Sequence, residues 1–119
     1  MSFRIANKQA LKSSFKQHRV GACIVKAGNI LSTGFNTYQP SKRLGTTTRH
    51  AEASCILKVL KEGRQHELVG SSIFVSRFTA GGRAGLARPC AACMGLIQAV
   101  GIKTVSYTTN EGTTERMKV

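Results

Sequence analysis

The spacing of apolar residues changes several times along the chain, and each change predicts an element. Phe3, Ala6, Ala10, Leu11 and Phe15 recur at helical intervals, while Arg4, Lys8, Lys12 and Lys16 stand every four residues on the other side. The stretch predicts an amphipathic first helix with a basic outer stripe. Residues 20–26 (VGACIVK) form a short apolar run of the kind buried strands carry, and Ala27, Gly28 and Asn29 suit a turn. Residues 30–36 (ILSTGFN) then return as the antiparallel partner, which makes a hairpin. Residues 38–48 are polar, include Pro40 and Gly45, and read as a loop whose Thr46, Thr47 or Thr48 could cap the next helix. That second helix is expected over 49–60, with Ala53, Ile56, Leu57 and Leu60 inward and Gly63 after its end. Residues 72–78 (SIFVSRF) alternate as a third strand, and 79–88 form a loop with three glycines. Pro89 opens a third helix running to Val100, and 103–108 (KTVSYT) make a fourth strand. The remaining residues are too polar to assign beyond a short strand at 117–119.

Helix, hairpin, helix, strand, helix, strand is the order of an α/β fold, a three-layer α/β/α sandwich around a mixed sheet. Strands three and four are joined through a helix and should be parallel. The second and third helices should then start on one side of the sheet, at strand carboxyl ends, where open α/β sheets hold ligands. With 119 residues the chain is expected to be one domain, 1–119, around one core. No segment approaches the roughly 18 apolar residues of a membrane span, and the first residues lack the apolar core of a signal peptide. A cytoplasmic protein with no membrane partner is expected.

Charge adds a constraint on partners. Eighteen Lys and Arg face five Glu and no Asp, for a net charge of +13, well beyond what solubility asks of a small domain. Residues 1–49 hold nine of the basic side chains and no acid. An anionic partner is expected, although a solvated basic face accounts for part of the stripe equally well.

The cysteines narrow the chemistry. Cys90 and Cys93 fall in the first turn of the third helix, where two thiolates can face one metal and the helix dipole favours their ionisation. A lone CxxC is compatible with a zinc site, a redox pair or chance. Cys23 and Cys55 lie in apolar runs and read as core residues, which argues against a disulfide framework. His50 opens the second helix two residues before Glu52. One nitrogen and two sulfurs would leave the fourth tetrahedral position of zinc open for water, the arrangement of catalytic zinc, and a nearby carboxylate could shuttle its proton.

His50-Ala51-Glu52 together with Pro89-Cys90-Ala91-Ala92-Cys93 resembles the zinc-dependent cytidine and deoxycytidylate deaminase superfamily. The likeness extends over most of the chain, since VGACIVKAGNILSTGFN resembles the family's first hairpin and PCAACMGLIQAVGIKTVSYTT its second catalytic helix and following strand. It implies a cytidine deaminase-like fold, zinc held by His50, Cys90 and Cys93, and Glu52 as the group that moves protons during attack on C4 of cytosine, or C6 of adenine. It also places Asn36 where many members contact the sugar, and Ala51 among the substrate contacts. The gap between His50 and Cys90 is long for the family, the excess being FTAGGRAGLAR. Arg77, Arg83 and Arg88 converge there; a solvated loop accounts for them equally well, and the functional expectation is that one or two of them grip a phosphate, for which the guanidinium fork is suited. His18 and His66 read as ordinary surface residues. Tyr38 could stack on a base, and Phe35 belongs to the core.

Three functions are compatible with these residues. The first is a deaminase of a pyrimidine nucleoside or nucleotide such as cytidine or deoxycytidylate. The second is a deaminase of single-stranded DNA or RNA, supported by the basic first segment and opposed by the scarcity of aromatic residues. The third is a nucleic-acid binding module with a structural zinc, which would need a fourth protein ligand. Relatives commonly associate through helices near the active site, so a homo-oligomer is implied.

Overall fold

The computed structural model describes residues 2–13, 15, 18–41 and 45–119. Its elements are α1 (Ser2–Ala10), β1 (Arg19–Lys26), β2 (Asn29–Phe35), β3 (Thr37–Ser41), β4 (Gly45–Arg49), α2 (Ala51–Lys61), a 3-10 turn (Gln65–Leu68), β5 (Ser72–Phe78), β6 (Ala84–Gly85), α3 (Ala91–Ala99), β7 (Thr104–Thr108) and β8 (Thr114–Lys118). The main sheet runs β2-β1-β5-β7-β8, with β6 bridging the end of β5. The pair β5/β7 is parallel as expected, and its other neighbours are antiparallel, so the sheet is mixed. Among the described residues no helix is long and apolar enough to cross a membrane.

Two glycines reveal the layers. Gly21 and Phe35 are register partners on one face of β1/β2, Ala22 and Gly34 on the other. A Cβ at Gly21 would strike the backbone of Ala6 and Ala10 in α1, whereas one at Gly34 would meet Ala51 and Ser54 in α2. Since neighbours along a strand point to opposite faces, α1 and α2 cover opposite sides of the sheet. The core lies on the α2 side: Val20, Ala22, Ile24, Ile73, Val75, Val105 and Tyr107 meet Ala51, Cys55, Ile56 and Val59 of α2 and Ile97 of α3. On the α1 side, Phe3 packs edge-on to Phe74 with ring centroids 5.2 Å apart. The result is an α/β/α sandwich.

The hairpin β1/β2 turns on Ala27 (φ 51) and Gly28 (φ 79), both left-handed, as the tightest hairpin turns demand. Ala27 carries a strain there that glycine does not. Ala27→Gly is therefore expected to raise unfolding free energy by up to about 1 kcal/mol, read as a higher urea midpoint at unchanged slope. An unchanged or lower midpoint would refute it.

Four expectations need correction. The first helix ends at Ala10, where the amides of Lys12 and Ser13 turn back to Gln9 O and Ala10 O, and Ser13 Oγ accepts the Phe15 amide at 3.2 Å. This serine's local bonding competes with further helix. Leu11 is thus 61% exposed instead of inward, and Lys16 lies outside the described residues. The supposed loop at 38–48 contains β3 and β4, a separate antiparallel hairpin in which Tyr38 faces Thr48 and Gln39 faces Thr47. Its β-branched threonines suit a strand better than a cap. Both catalytic-looking helices begin later than predicted, with His50 and Cys90 themselves at the N-caps. The last strand is five residues long, Thr114–Lys118, and it is polar because it is an exposed sheet edge.

Candidate active site

The N-cap of a helix is usually Ser, Thr, Asp or Asn, whose side chain binds a free backbone amide. His50 and Cys90 hold these positions at α2 and α3 and make no capping hydrogen bond, so their donor atoms are free to face each other. Cys93 follows in the first turn of α3. His50 Nδ1 lies 3.7 Å from Cys90 Sγ and 3.3 Å from Cys93 Sγ, and the three donor atoms fall within 4.8 Å of one another. At a tetrahedral zinc with bonds of about 2.0 Å to nitrogen and about 2.3 Å to sulfur, nitrogen and sulfur stand about 3.6 Å apart. The two observed separations bracket that value. Two helix N-termini also converge here, and their partial positive charge favours thiolates.

Glu52 lies in the first turn of α2, 5% exposed, and lines the same cleft. Burial pushes its carboxyl above the ordinary carboxylate range, with its own backbone amide and His50 opposing the shift. Burial likewise pushes the Cys93 thiol up, reinforced by Glu52 and Cys90. Groups that resist ionisation because they crowd together in a buried place are those a divalent cation would relieve, since a coordinating thiol is deprotonated outright. The donor set, its distances and this crowding all fit zinc.

The cleft has a volume of about 300 Å³. It is lined by His50, Ala51 and Glu52 from the start of α2, Cys90 from the start of α3, Val20 of β1, Asn36, Arg77, and Leu86, Ala87 and Arg88 from the loop before α3. The loop before α3 is anchored to the end of β7 and the turn after it, the Leu86 amide donating to Asn110 Oδ1 (2.9 Å) and the Ala87 amide to Thr108 O (2.9 Å). Asn36 accepts from the Val20 amide at 3.0 Å and donates to His18 O at 2.7 Å, tying the end of β2 to the entry of β1. Ala51 is fully buried.

Of the residues singled out in the sequence, His50, Ala51, Glu52, Cys90, Cys93, Asn36, Arg77 and Arg88 meet around this cleft. Arg83 does not line it: the turn closed by Thr79 N on Arg83 O and Gly82 N on Thr79 O leaves it exposed. Phe35 points to the α1 side, opposite Gly21. Tyr38, 58% exposed, stacks on Phe15 with centroids 4.1 Å apart at the mouth. Sequence reasoning missed Phe15, Thr48, Leu86 and above all His18, which all line the cleft. The signal for His18 was its place just before the first strand, whose start faces the helix N-termini. Burial, Arg77 and His50 lower its pKa. His66 is exposed in the Gln65–Leu68 turn, as expected.

The four thiols differ enough in setting to report on the metal. Cys23 and Cys55 are fully buried, with Cys23 pushed up to about 11, whereas Cys90 is exposed. After chelation, iodoacetamide is expected to modify Cys90 first, and saturating zinc to suppress that modification, both read by peptide mass spectrometry. Labelling of Cys90 at the same rate with and without zinc would remove it from the ligand set.

Residues 1–109 match the family described as cytidine and deoxycytidylate deaminase zinc-binding region. Deoxycytidylate deaminase of Mycobacterium phage D29 is 28% identical, over 87% of this chain and 88% of that protein. The crystal structure of the dCMP deaminase from cyanophage S-TIM5 in apo form superposes with a TM-score of 0.69 at 26% identity, covering 91% of this chain and 79% of that one. The cytidine deaminase of Burkholderia pseudomallei shares the fold with a TM-score of 0.71 at 24% identity, covering 98% and 89%. The two metal-facing helix caps, the buried glutamate between them and this match over most of the length together establish that the chain belongs to the cytidine and deoxycytidylate deaminase family.

Proposed function

We propose that residues 1–119 form one catalytic domain, a zinc-dependent hydrolytic deaminase that converts cytosine to uracil in a pyrimidine nucleoside or nucleotide such as cytidine or deoxycytidylate. The observation that carries this is Glu52, buried in the lining of the cleft that His50 and Cys90 also line. His50, Cys90 and Cys93 would hold the zinc, which supplies a water whose pKa is lowered from 15.7 to about 7. Glu52 takes one proton from the water and delivers it to N3 of the ring, then takes the second from the hydroxyl now on C4 and gives it to the departing amine as the C4–N bond breaks, so that water and cytosine leave as uracil and ammonia. A carboxyl that burial raises above the ordinary carboxylate range suits a group that must both accept and donate a proton. Phe15, Val20 and Leu86 give the ring apolar walls, and Asn36 keeps one amide hydrogen and one lone pair for a sugar hydroxyl after its two backbone bonds. Ala51, Arg77 and Arg88 complete the proposed substrate contacts.

Exposed Arg4, Lys8 and Lys12, and the Phe15–Tyr38 pair at the mouth, support a second reading in which the base belongs to a single strand of nucleic acid and Arg83 meets a backbone phosphate beyond the cleft. One experiment tests both. Zinc-loaded protein is incubated with cytidine, deoxycytidine, deoxycytidylate, adenosine and cytosine- or adenine-containing single strands, and ammonia release is read against a Glu52→Ala control. Turnover of cytosine monomers supports the first reading. Conversion of strands alone supports the second, and no turnover by metal-replete protein overturns both.

A further inference from the structure

We propose that the α1 side of the sandwich is a docking surface for double-stranded nucleic acid, whose phosphates meet Arg4, Lys8 and Lys12 of the first helix and its turn and Arg116 and Lys118 of β8. The two groups lie far apart in sequence, and strand pairing unites them. Gly21, whose missing side chain admits α1, is the register partner of Ser76, and Phe74, two residues along β5, points to the same face and meets Phe3 of α1. Phe74 pairs in turn with Ser106 of β7, and Ser106 with Arg116 of β8. Arg116, and with it Lys118, therefore stands on the α1 side. Met117 between them packs against the core on the other side, as the alternation requires.

Charge is sorted between the two faces. Arg4, Lys8, Lys12, Arg116 and Lys118 are all exposed. Of the five glutamates, Glu52 lines the cleft, Glu62 and Glu67 bond Arg64 after α2, Glu115 accepts the Tyr107 hydroxyl on the core side, and Glu111 lies in the turn after β7. None stands on α1 or at an α1-facing strand position. Among the described residues the ion pairs are those of Arg64, so these five cations have no internal carboxylate. A face so charged favours a polyanion, which releases its own counterions on binding.

The other side chains of this face select the kind of polyanion. The α1-side positions of β7 and β8 hold threonine, serine and the two cations, and Leu11 past α1 and Ile30 on the edge strand β2 are exposed singly, too little apolar surface to seat a protein or enter a bilayer. Among the described residues no aromatic ring of this face is exposed, so a single strand would find no stacking platform. Spacing favours a duplex. Helix α1 packs on β1, β2 and β5, and three strand spacings, about 14 Å, separate β1 from β8. A major groove is about 12 Å wide, so the two rows of cations suit phosphates on its opposite walls. Val20 and Arg77 of the cleft point to the α2 side, which makes this a separate surface. Binding here needs neither zinc nor Glu52, and it stands apart from the deaminase reading.

The test follows the fluorescence anisotropy of a labelled duplex of about 20 base pairs titrated with the zinc-loaded chain at several salt concentrations. The logarithm of the binding constant should fall with log salt at a slope of about −4.5, for five phosphates met, which is a loss of about 500-fold between about 50 and 200 mM. Arg4→Gln with Lys8→Gln, and separately Arg116→Gln with Lys118→Gln, should each weaken binding about tenfold or more at the lower salt and flatten the slope by about 2. Lys26→Gln with Lys61→Gln removes the same charge from the α2 side and should leave both nearly unchanged. Zinc content and the urea midpoint of each variant verify its fold. Binding indifferent to salt, equal weakening by the control pair, a single strand held tenfold more tightly than the duplex, a loss confined to Arg88→Gln at the cleft, or capture by anionic lipid vesicles without duplex binding would each overturn the proposal.

Discussion

Glu52→Ala is expected to retain about one zinc per chain and to lose about 10²–10⁴ in kcat, the usual contribution of a positioned general acid–base. The two effects separate because the proposed metal donors are the side chains of His50, Cys90 and Cys93, which lie together without the Glu52 carboxyl. Glu52→Gln keeps the shape and removes the proton shuttle, so it should be as inactive as alanine. Metal analysis with single-turnover assays on the same preparations checks both halves, and activity within tenfold of wild type would end the assignment. Stability should move the other way. The folded carboxyl is raised above its unfolded value, so its ionisation opposes folding: its contribution is whole below the ordinary carboxylate range and is lost as pH rises through the raised value. Metal-free Glu52→Gln should therefore gain thermal stability over wild type at pH 8 relative to pH 4, and a gain confined to low pH would contradict the burial argument.

Gly21→Ala is expected to be the most destabilising glycine-to-alanine change among the glycines whose surroundings are described. The new Cβ would overlap the Ala6 carbonyl oxygen and the Ala10 amide nitrogen and stand 2.9 Å from Ala10 Cα, all backbone atoms that cannot rotate away. Helix α1 must lift from β1, at about 3 kcal/mol or more, the upper range of overpacking costs. Because α1 covers the face opposite the metal, folded protein should still bind zinc normally. Gly34→Ala makes the contrast: its Cβ would meet Ala51 O and Ser54 Cβ at 3.0 Å in the turn that carries His50 and Glu52. It should cost less stability, about 1–2 kcal/mol, and weaken zinc retention. Urea denaturation with chelator competition separates the two, and equal zinc loss in both would contradict the layer assignment.

The differences between expectation and structure share a physical origin. Local signals carried the strands Arg19–Lys26 and Ser72–Phe78, because an apolar run between turn residues needs few partners to declare itself. The β3/β4 hairpin was hidden, since polar threonines pair there as a two-stranded ribbon outside the core, and no burial pattern marks such a strand. The edge strand β8 was shortened for the same reason. In α1 the periodicity continued past Ala10, but one serine's hydrogen bond to the following turn outweighed it.

For the site, residue types and spacing by themselves determined the chemistry: a histidine two residues before a glutamate, a CxxC after proline, and an excess of cations. Nitrogen, sulfur and carboxylate donors have few other uses in such combinations. Only the tertiary structure decided which cations line the cleft. Arg77, Arg83 and Arg88 look equivalent along the chain, yet strand pairing turns Arg77 into the cleft, the loop anchored on Asn110 brings Arg88 to its rim, and the turn at Thr79 sends Arg83 to solvent. His18 entered the site in the same way, through the Asn36 side chain that ties its carbonyl to the end of β2. Such placements rest on contacts between residues far apart in sequence, which no local pattern encodes.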